Sequence, residues 1–175
     1  LDSNDFRLVA DHHQWVCDYF DHGLTAVAHI KSIMATKTPD YAFLDHTADL
    51  GINVRGKDLK DLFETAAKAM IHLMIVGESQ AKASDMKITV SGLDLPDLLV
   101  RWLGEILYLI EGEYLVVTSI HIDFLSLSRL DAALKTVPFD PTVHEITSEI
   151  KAVTYHQIQV KEKGSFWEAQ VIFDT

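Results

Sequence analysis

The chain has 175 residues and a net charge of −11, from 15 basic and 26 acidic side chains. Hydrophobic residues make up 48% and charged residues 23%, a balance that suits a folded soluble protein and argues against global disorder. So acidic a surface repels phosphate backbones and lacks the basic stripe of a protein that grips nucleic acid directly, so any link to RNA is expected to run through a basic protein partner.

The length fits one domain, or one domain with an appendage, and can bury a core without staples. A single cysteine, Cys17, rules out a disulfide within the chain. That usage fits a reducing cytoplasm, the expected location. No stretch approaches the ~20 apolar residues that span a bilayer. Asp2 and Asp5 open the sequence, where a signal peptide would place basic and then apolar residues.

Residues 1–33 differ in character from the rest of the chain. They hold four of the nine histidines (His12, His13, His22, His29), the cysteine, and five acidic against two basic residues. Most of the negative charge therefore belongs to the remainder. Leu8-Val9-Ala10, Trp15-Val16 and Tyr19-Phe20 can form a short amphipathic helix ended by Gly23, and Leu24 to Ile33 is a second apolar piece. Met34-Ala35-Thr36-Lys37-Thr38-Pro39-Asp40 reads as a polar lead-in. The expected organisation is an appendage over residues 1–39 and a domain over 40–175.

From Tyr41 the pattern sharpens. Tyr41–Leu44 is a short apolar run, and the polar Asp45-His46-Thr47-Ala48-Asp49 comes next. Leu50, Ile52 and Val54 alternate with Gly51, Asn53 and Arg55, the period of a half-buried strand. Asp58 is placed to cap a helix, with Asp61 three residues on. Leu59, Leu62, Phe63, Ala66, Met70, Leu73 and Met74 then fall at helical spacing, up to Gly77. Lys87–Ser91 reads as a strand. Asp94 caps a second helix, with Pro96 in its first turn and Gly112 as the stop. Its apolar face is Leu98, Leu99, Trp102, Leu103, Ile106, Leu107 and Ile110. Thr118, Ile120, Ile122 and Phe124 alternate with polar neighbours, and Leu127–Lys135 forms a second strand across a hairpin. Val137–Pro141 reads as a loop. Ile146–Val160 and Phe166–Asp174 are strand-rich, joined by a turn over Lys161–Ser165. The order defines an α+β fold with two helices packed on a largely antiparallel sheet. No internal repeat stands out.

Three clusters carry potential chemistry, while phosphate-binding loops, dinucleotide fingerprints, nucleophile elbows and zinc spacings are missing from the sequence. Asp45-His46-Thr47-Ala48-Asp49 lies between two strands, where its carboxylates are either oxygen ligands for a hard cation or turn residues bonded to nearby backbone. Val171-Ile172-Phe173-Asp174-Thr175 is an apolar strand that closes on oxygen donors; the other reading is a charged strand end facing water. Lys151-Ala152-Val153-Thr154-Tyr155-His156 sets an aromatic and a titratable group on opposite faces of a strand. His46 and His156 would do acid–base work if they met in space.

In this order and at these distances, the three clusters resemble the archease family. Tyr41 to Asp49, with His46-Thr47-Ala48-Asp49 at its heart, is similar to the family's opening motif; Lys151 to His156 and the closing Val171 to Thr175 are similar to two further family motifs. The resemblance covers about 135 residues and implies two fused strand–helix–strand–strand modules. It also implies an accessory protein without ligase activity of its own, which promotes guanylylation and multiple turnover of the GTP- and manganese-dependent RNA ligase of tRNA splicing. The family's metal, usually calcium, carries over to Asp49, Asp174 and a main-chain oxygen of Thr175. Asp45, His46 and His156 are further candidates. One departure stands out: the family usually closes on an aliphatic residue, where this chain has Thr175. Two readings from other classes compete, a small metal-dependent hydrolase using Asp49, Asp174, His46 and His156, and a plain binding module braced by its carboxylates.

Overall fold

The computed structural model describes residues 39–44 and 50–175. The expected helix and apolar piece within residues 1–33, the lead-in from Met34 to Thr38, and the cluster Asp45 to Asp49 lie outside the described residues. Two strands, β1 (Tyr41–Phe43) and β2 (Leu50–Gly56), lead into helix α1 (Leu59–Met74), and β3 (Ile75–Val76) and β4 (Ser84–Ser91) lead into helix α2 (Leu95–Glu111). Six strands complete the chain: β5 (Leu115–Leu125), β6 (Arg129–Pro138), β7 (Glu145–Ile146), β8 (Ala152–Val153), β9 (Gln159–Lys163) and β10 (Phe166–Asp174). The fold is α+β, and every strand pairing described is antiparallel.

The strands form three sheets where one was expected. β10 is flanked by β2 on one side and by β9, then β8, on the other, and β1 adds to the far edge of β2. A second sheet runs β4-β6-β5, and β3 pairs with β7 in a two-residue ribbon. Two copies of one module emerge. In β2-α1-β9-β10 the last strand lies between the other two, and the same holds for β4-α2-β5-β6. The second module is inserted between α1 and β9 of the first. The β3–β7 ribbon ties together the points where the chain enters and leaves the insert.

The duplication is written in the sequence, contrary to the expectation of no repeat. Ile52-Asn53-Val54-Arg55-Gly56-Lys57-Asp58-Leu59-Lys60-Asp61-Leu62 aligns with Ile88-Thr89-Val90-Ser91-Gly92-Leu93-Asp94-Leu95-Pro96-Asp97-Leu98, with seven identities in eleven positions. The shared residues build the strand-to-helix turn. Asp58 and Asp94 are extended N-caps whose side chains each accept from the backbone N–H three residues on, both at 2.9 Å. Asp61 and Asp97 reach back to the N–H of Lys57 at 2.9 Å and of Leu93 at 2.8 Å. Each cap thereby satisfies donors that a helix start leaves unpaired.

Gly56 and Gly92 complete the turn, because the helix backbone lies against them. A β-carbon on Gly56 would fall 2.3 Å from Leu62 N, and one on Gly92 would fall 2.8 Å from Leu98 Cα. Gly56→Ala is therefore expected to cost about 2–3 kcal/mol, and Gly92→Ala somewhat less, since backbone and not a side-chain tip must shift. At Gly104, on α2, a β-carbon would meet nothing within 4 Å. Gly104→Ala should instead stabilise the helix by roughly 0.5–1 kcal/mol. Urea midpoints of the three variants check these signs.

The core lies between the helices and the sheets. α1 contributes Leu62, Phe63, Ala66, Met70 and Met74, and α2 contributes Leu98, Leu99, Trp102, Leu103 and Ile106, all fully buried. Ala66, Ala67 and Ala69 keep α1 slim, while α2 carries the bulk. The indole N–H of Trp102 donates to Phe63 O at 3.0 Å and links the two helices.

Helix α1 stops at Met74, two residues short of the expected Val76. Ile75 and Val76 pair with Ile146 and Glu145 instead, and Thr147 satisfies the free helix carbonyls of Leu73 and Met74, each at 2.8 Å. β4 begins at Ser84, earlier than expected, because its pairing with β6 extends to Ser84↔Thr136. Val137 and Pro138, expected in a loop, end β6 against Val116 and Leu115. In β5, register shifts between Val117 and Ser119 and between Ile122 and Phe124 break the expected alternation, so Val116 and Val117 are both buried and Phe124 is exposed. The expected strand-rich stretch 146–160 holds only short pieces of β7, β8 and β9. β10 has the expected bounds, and the turn before it is tighter than expected, formed by Gly164 (φ 67°) and Ser165.

Candidate functional site at the Asp174 end of the central strand

Strand β10 brings Asp174 to the end of its sheet where β1 runs out and β2 begins. Phe43 pairs with Ile52, Leu44 N–H donates to Gly51 O at 2.8 Å, and Leu50 pairs with Phe173. Phe173, fully buried, anchors this end in the core, while Asp174 and Thr175 are exposed. The Asp174 carboxylate makes no hydrogen bond or ion pair with the described residues. Asp45, His46 and Asp49 lie outside them, so His46 cannot be set against His156.

The other edge of β10 is held by the Lys151 segment. Lys151 N–H donates to Asp174 O at 2.8 Å, and Thr154 gives both its N–H (3.0 Å) and its hydroxyl (2.9 Å) to Ile172 O. Lys151 also borders an open groove of about 470 Å³ between Glu149–Lys151 and the Gly104–Gly112 side of α2, with Glu111 and Glu149 on its lining.

Tyr155 and His156 do not share a strand as expected. β8 ends at Val153, so Tyr155 leaves the sheet and His156 enters a turn with Gln157, whose φ is 51°. His156 is exposed, its N–H donates to Thr154 Oγ1 at 3.3 Å, and its Nε2 lies 3.2 Å from Gln157 Nε2. The segment is broken because β9 replaces β8 as the partner of β10 at Gln159↔Gln170.

Tyr155 points instead to the start of α2, where its hydroxyl donates to Asp97 Oδ1 at 2.6 Å. Arg101 Nε donates to both Asp97 oxygens, at 3.0 and 2.9 Å. The Tyr155 hydrogen bond, then the Leu93 N–H, and then Arg101 hold the Asp97 carboxyl below the usual carboxylate range. The same bond to Asp97, with burial, raises the Tyr155 phenol. Because the Asp97 value is lowered by folding, this tie is present above the unfolded carboxylate value and is lost as pH falls through the folded one. Sequence reasoning missed Asp97 and Arg101. The signal that finds them is the repeated turn motif: Arg101 replaces Thr65 of the first copy.

Among the described residues, no group of three or more His, Cys, Asp or Glu side chains is placed to hold a metal ion. The oxygen donors at this end are of the kind that hard cations take, an exposed carboxylate beside main-chain oxygens. They fit such an ion only with a further ligand. No helix among the described residues is long and apolar enough to cross a membrane.

The class of protein these observations describe is a duplicated β-α-β-β fold of the α+β kind. The Archease protein family profile matches residues 41–175. A Methanosarcina acetivorans protein archease is 32% identical over 145 residues, covering 81% of this chain and 99% of that protein. A Dictyostelium discoideum protein archease-like is 30% identical over 142 residues, covering 77% and 93%. The solution structure of Methanobacterium thermoautotrophicum protein 1598 superposes with a TM-score of 0.60 at 30% identity, covering 78% of this chain and 99% of that one. A Thermotoga maritima archease, described as a possible chaperone, shares the fold with a TM-score of 0.54 at 19% identity. The chain belongs to the archease family.

Proposed function

We propose that this protein is an accessory factor that activates the RNA ligase of tRNA splicing, promoting its guanylylation and repeated turnover without joining RNA itself. Membership of the archease family across residues 41–175 carries the reading. In this reading Asp49, Asp174 and a main-chain oxygen of Thr175 hold a divalent cation of the oxygen-seeking kind, calcium being the one the family resemblance implies. Covalent connection supports the set. Asp49 is bonded to Leu50 and Asp174 to Phe173, and Leu50 and Phe173 are strand partners. The bound cation would supply a fixed positive charge at an otherwise acidic tip.

The charge of −11 suits a partner with a basic, phosphate-binding cleft. The acidic groove beside Lys151 adds to that complementarity. At limiting ligase, adding this protein should convert a single round of ligation into many. A ligase whose turnover is the same with and without it would refute the reading. The association should also weaken with salt: between about 50 and 300 mM, the concentration giving half-maximal activation should rise several-fold. A salt-independent value would show that charge does not bring the partners together.

A further inference from the structure

The two copies of the turn motif offer an internal comparison. In the first, Asp61 does what a cap requires, accepting from Lys57 N–H, and the residue four further on is Thr65. In the second, Asp97 accepts the equivalent bond from Leu93 and then gains Arg101 and Tyr155. Capping needs neither, so the additional contacts serve something the first copy lacks.

That something lies at the other end of the Tyr155 segment. Lys151 and Thr154, just before Tyr155, give three hydrogen bonds to the main chain of Ile172 and Asp174 on the edge of β10 opposite β2. Among the described residues β8 is the last strand on its side of the sheet. It is anchored by Ile150, buried in the core, by Val153, packed against the core, and beyond them by the Tyr155 hydroxyl. The Tyr155 side chain is 58% exposed, so its grip comes from one charge-assisted hydrogen bond more than from burial.

We propose that Asp97, Arg101 and Tyr155 form a latch that fixes the Asp174 end of β10, and so positions the cation site. Its functional half rests on the assignment of Asp174 as a ligand. Tyr155 and Asp97 are positioning residues: they act on Asp174 through Lys151 and Thr154. With the latch open, Lys151 and Thr154 loosen from one edge of the strand end, which its pairing with β2 and the buried Phe173 still hold in the sheet, and Asp174 beyond them is less firmly placed.

Tyr155→Phe removes the hydroxyl alone. In the full chain, hydrogen exchange at the Lys151 and Thr154 amides should quicken about tenfold, while amides of α1 and β6 stay as protected as before. Arg101→Gln should act in the same direction. Asp61→Asn, the equivalent change in the first copy, should leave Lys151 and Thr154 unaffected. Calcium titrated by calorimetry should bind several-fold more weakly to Tyr155→Phe, with the melting temperature unchanged. Unaltered exchange at Lys151 and Thr154 overturns the latch, and faster exchange with an unaltered calcium affinity overturns its role at the cation site. If the unsubstituted protein takes up no calcium, the ligand assignment falls, and the exchange rates still decide whether the latch exists.

Discussion

Trp102→Ala should lower stability by about 3–5 kcal/mol, the largest effect expected of any single truncation in this fold. Trp102 is fully buried, and its indole N–H is bonded to Phe63 O across the two helices. Alanine would open a cavity where α2 supplies the bulk that the alanines of α1 leave room for. A typical domain is stable by only about 5–15 kcal/mol, so much of the margin would go. The expected shift is roughly 10–20 °C in melting temperature for a domain of this size. Circular dichroism melts measure it directly, and Trp102→Phe, which keeps most of the volume, should fall between the two. A loss under about 1 kcal/mol would mean the helices do not depend on this contact.

Asp174→Ala should do the opposite, leaving stability within about 0.5 kcal/mol and abolishing ligase activation. The side chain is exposed and makes no bond with the described residues. The substitution keeps the main-chain oxygen that accepts from Lys151. Deleting Asp174 and Thr175 together is a poorer test, because it also strips that acceptor and would destabilise the strand whatever the carboxylate does. If the carboxylate only braces the sheet, Asp174→Ala will lose stability along with activity. A variant that is stable and activates normally would remove Asp174 from the site. Urea denaturation and ligase turnover, run side by side, separate these outcomes.

Much of the fold was legible because it is local. The caps at Asp58 and Asp94, the proline in the first turn of α2 and the apolar faces of both helices depend on neighbours within a few residues. β10 could be read because it closes on an apolar run and follows a glycine turn. What sequence reasoning missed is decided at long range. Ile75 and Val76 satisfy a helical face equally well, and only Glu145 and Ile146 draw them into a ribbon. Val137 and Pro138 look like a loop until Leu115 and Val116 pair with them. The family resemblance implied two modules, but the sequence repeat behind them was missed because the copies share the residues of one turn, while their helices have diverged to suit different neighbours.

The site divides the same way. Asp45, Asp49, Asp174 and the Thr175 main chain were singled out as oxygen donors beside strands, and the choice of Asp49, Asp174 and Thr175 as ligands came from the family resemblance. Asp97 and Arg101 were missed, since their link to Tyr155 crosses more than fifty residues and only the repeated turn motif marks their place. His156, read as one face of a strand, stands in a turn, exposed beside Gln157.

Calcium titration of the unsubstituted protein and of Asp49→Ala and Asp174→Ala, read out by calorimetry, puts the cation site itself to the test. The prediction is one ion per chain for the first, with binding weakened at least tenfold in either variant and the fold intact by circular dichroism. Binding that survives both substitutions undiminished, or no binding to the unsubstituted chain, would contradict it.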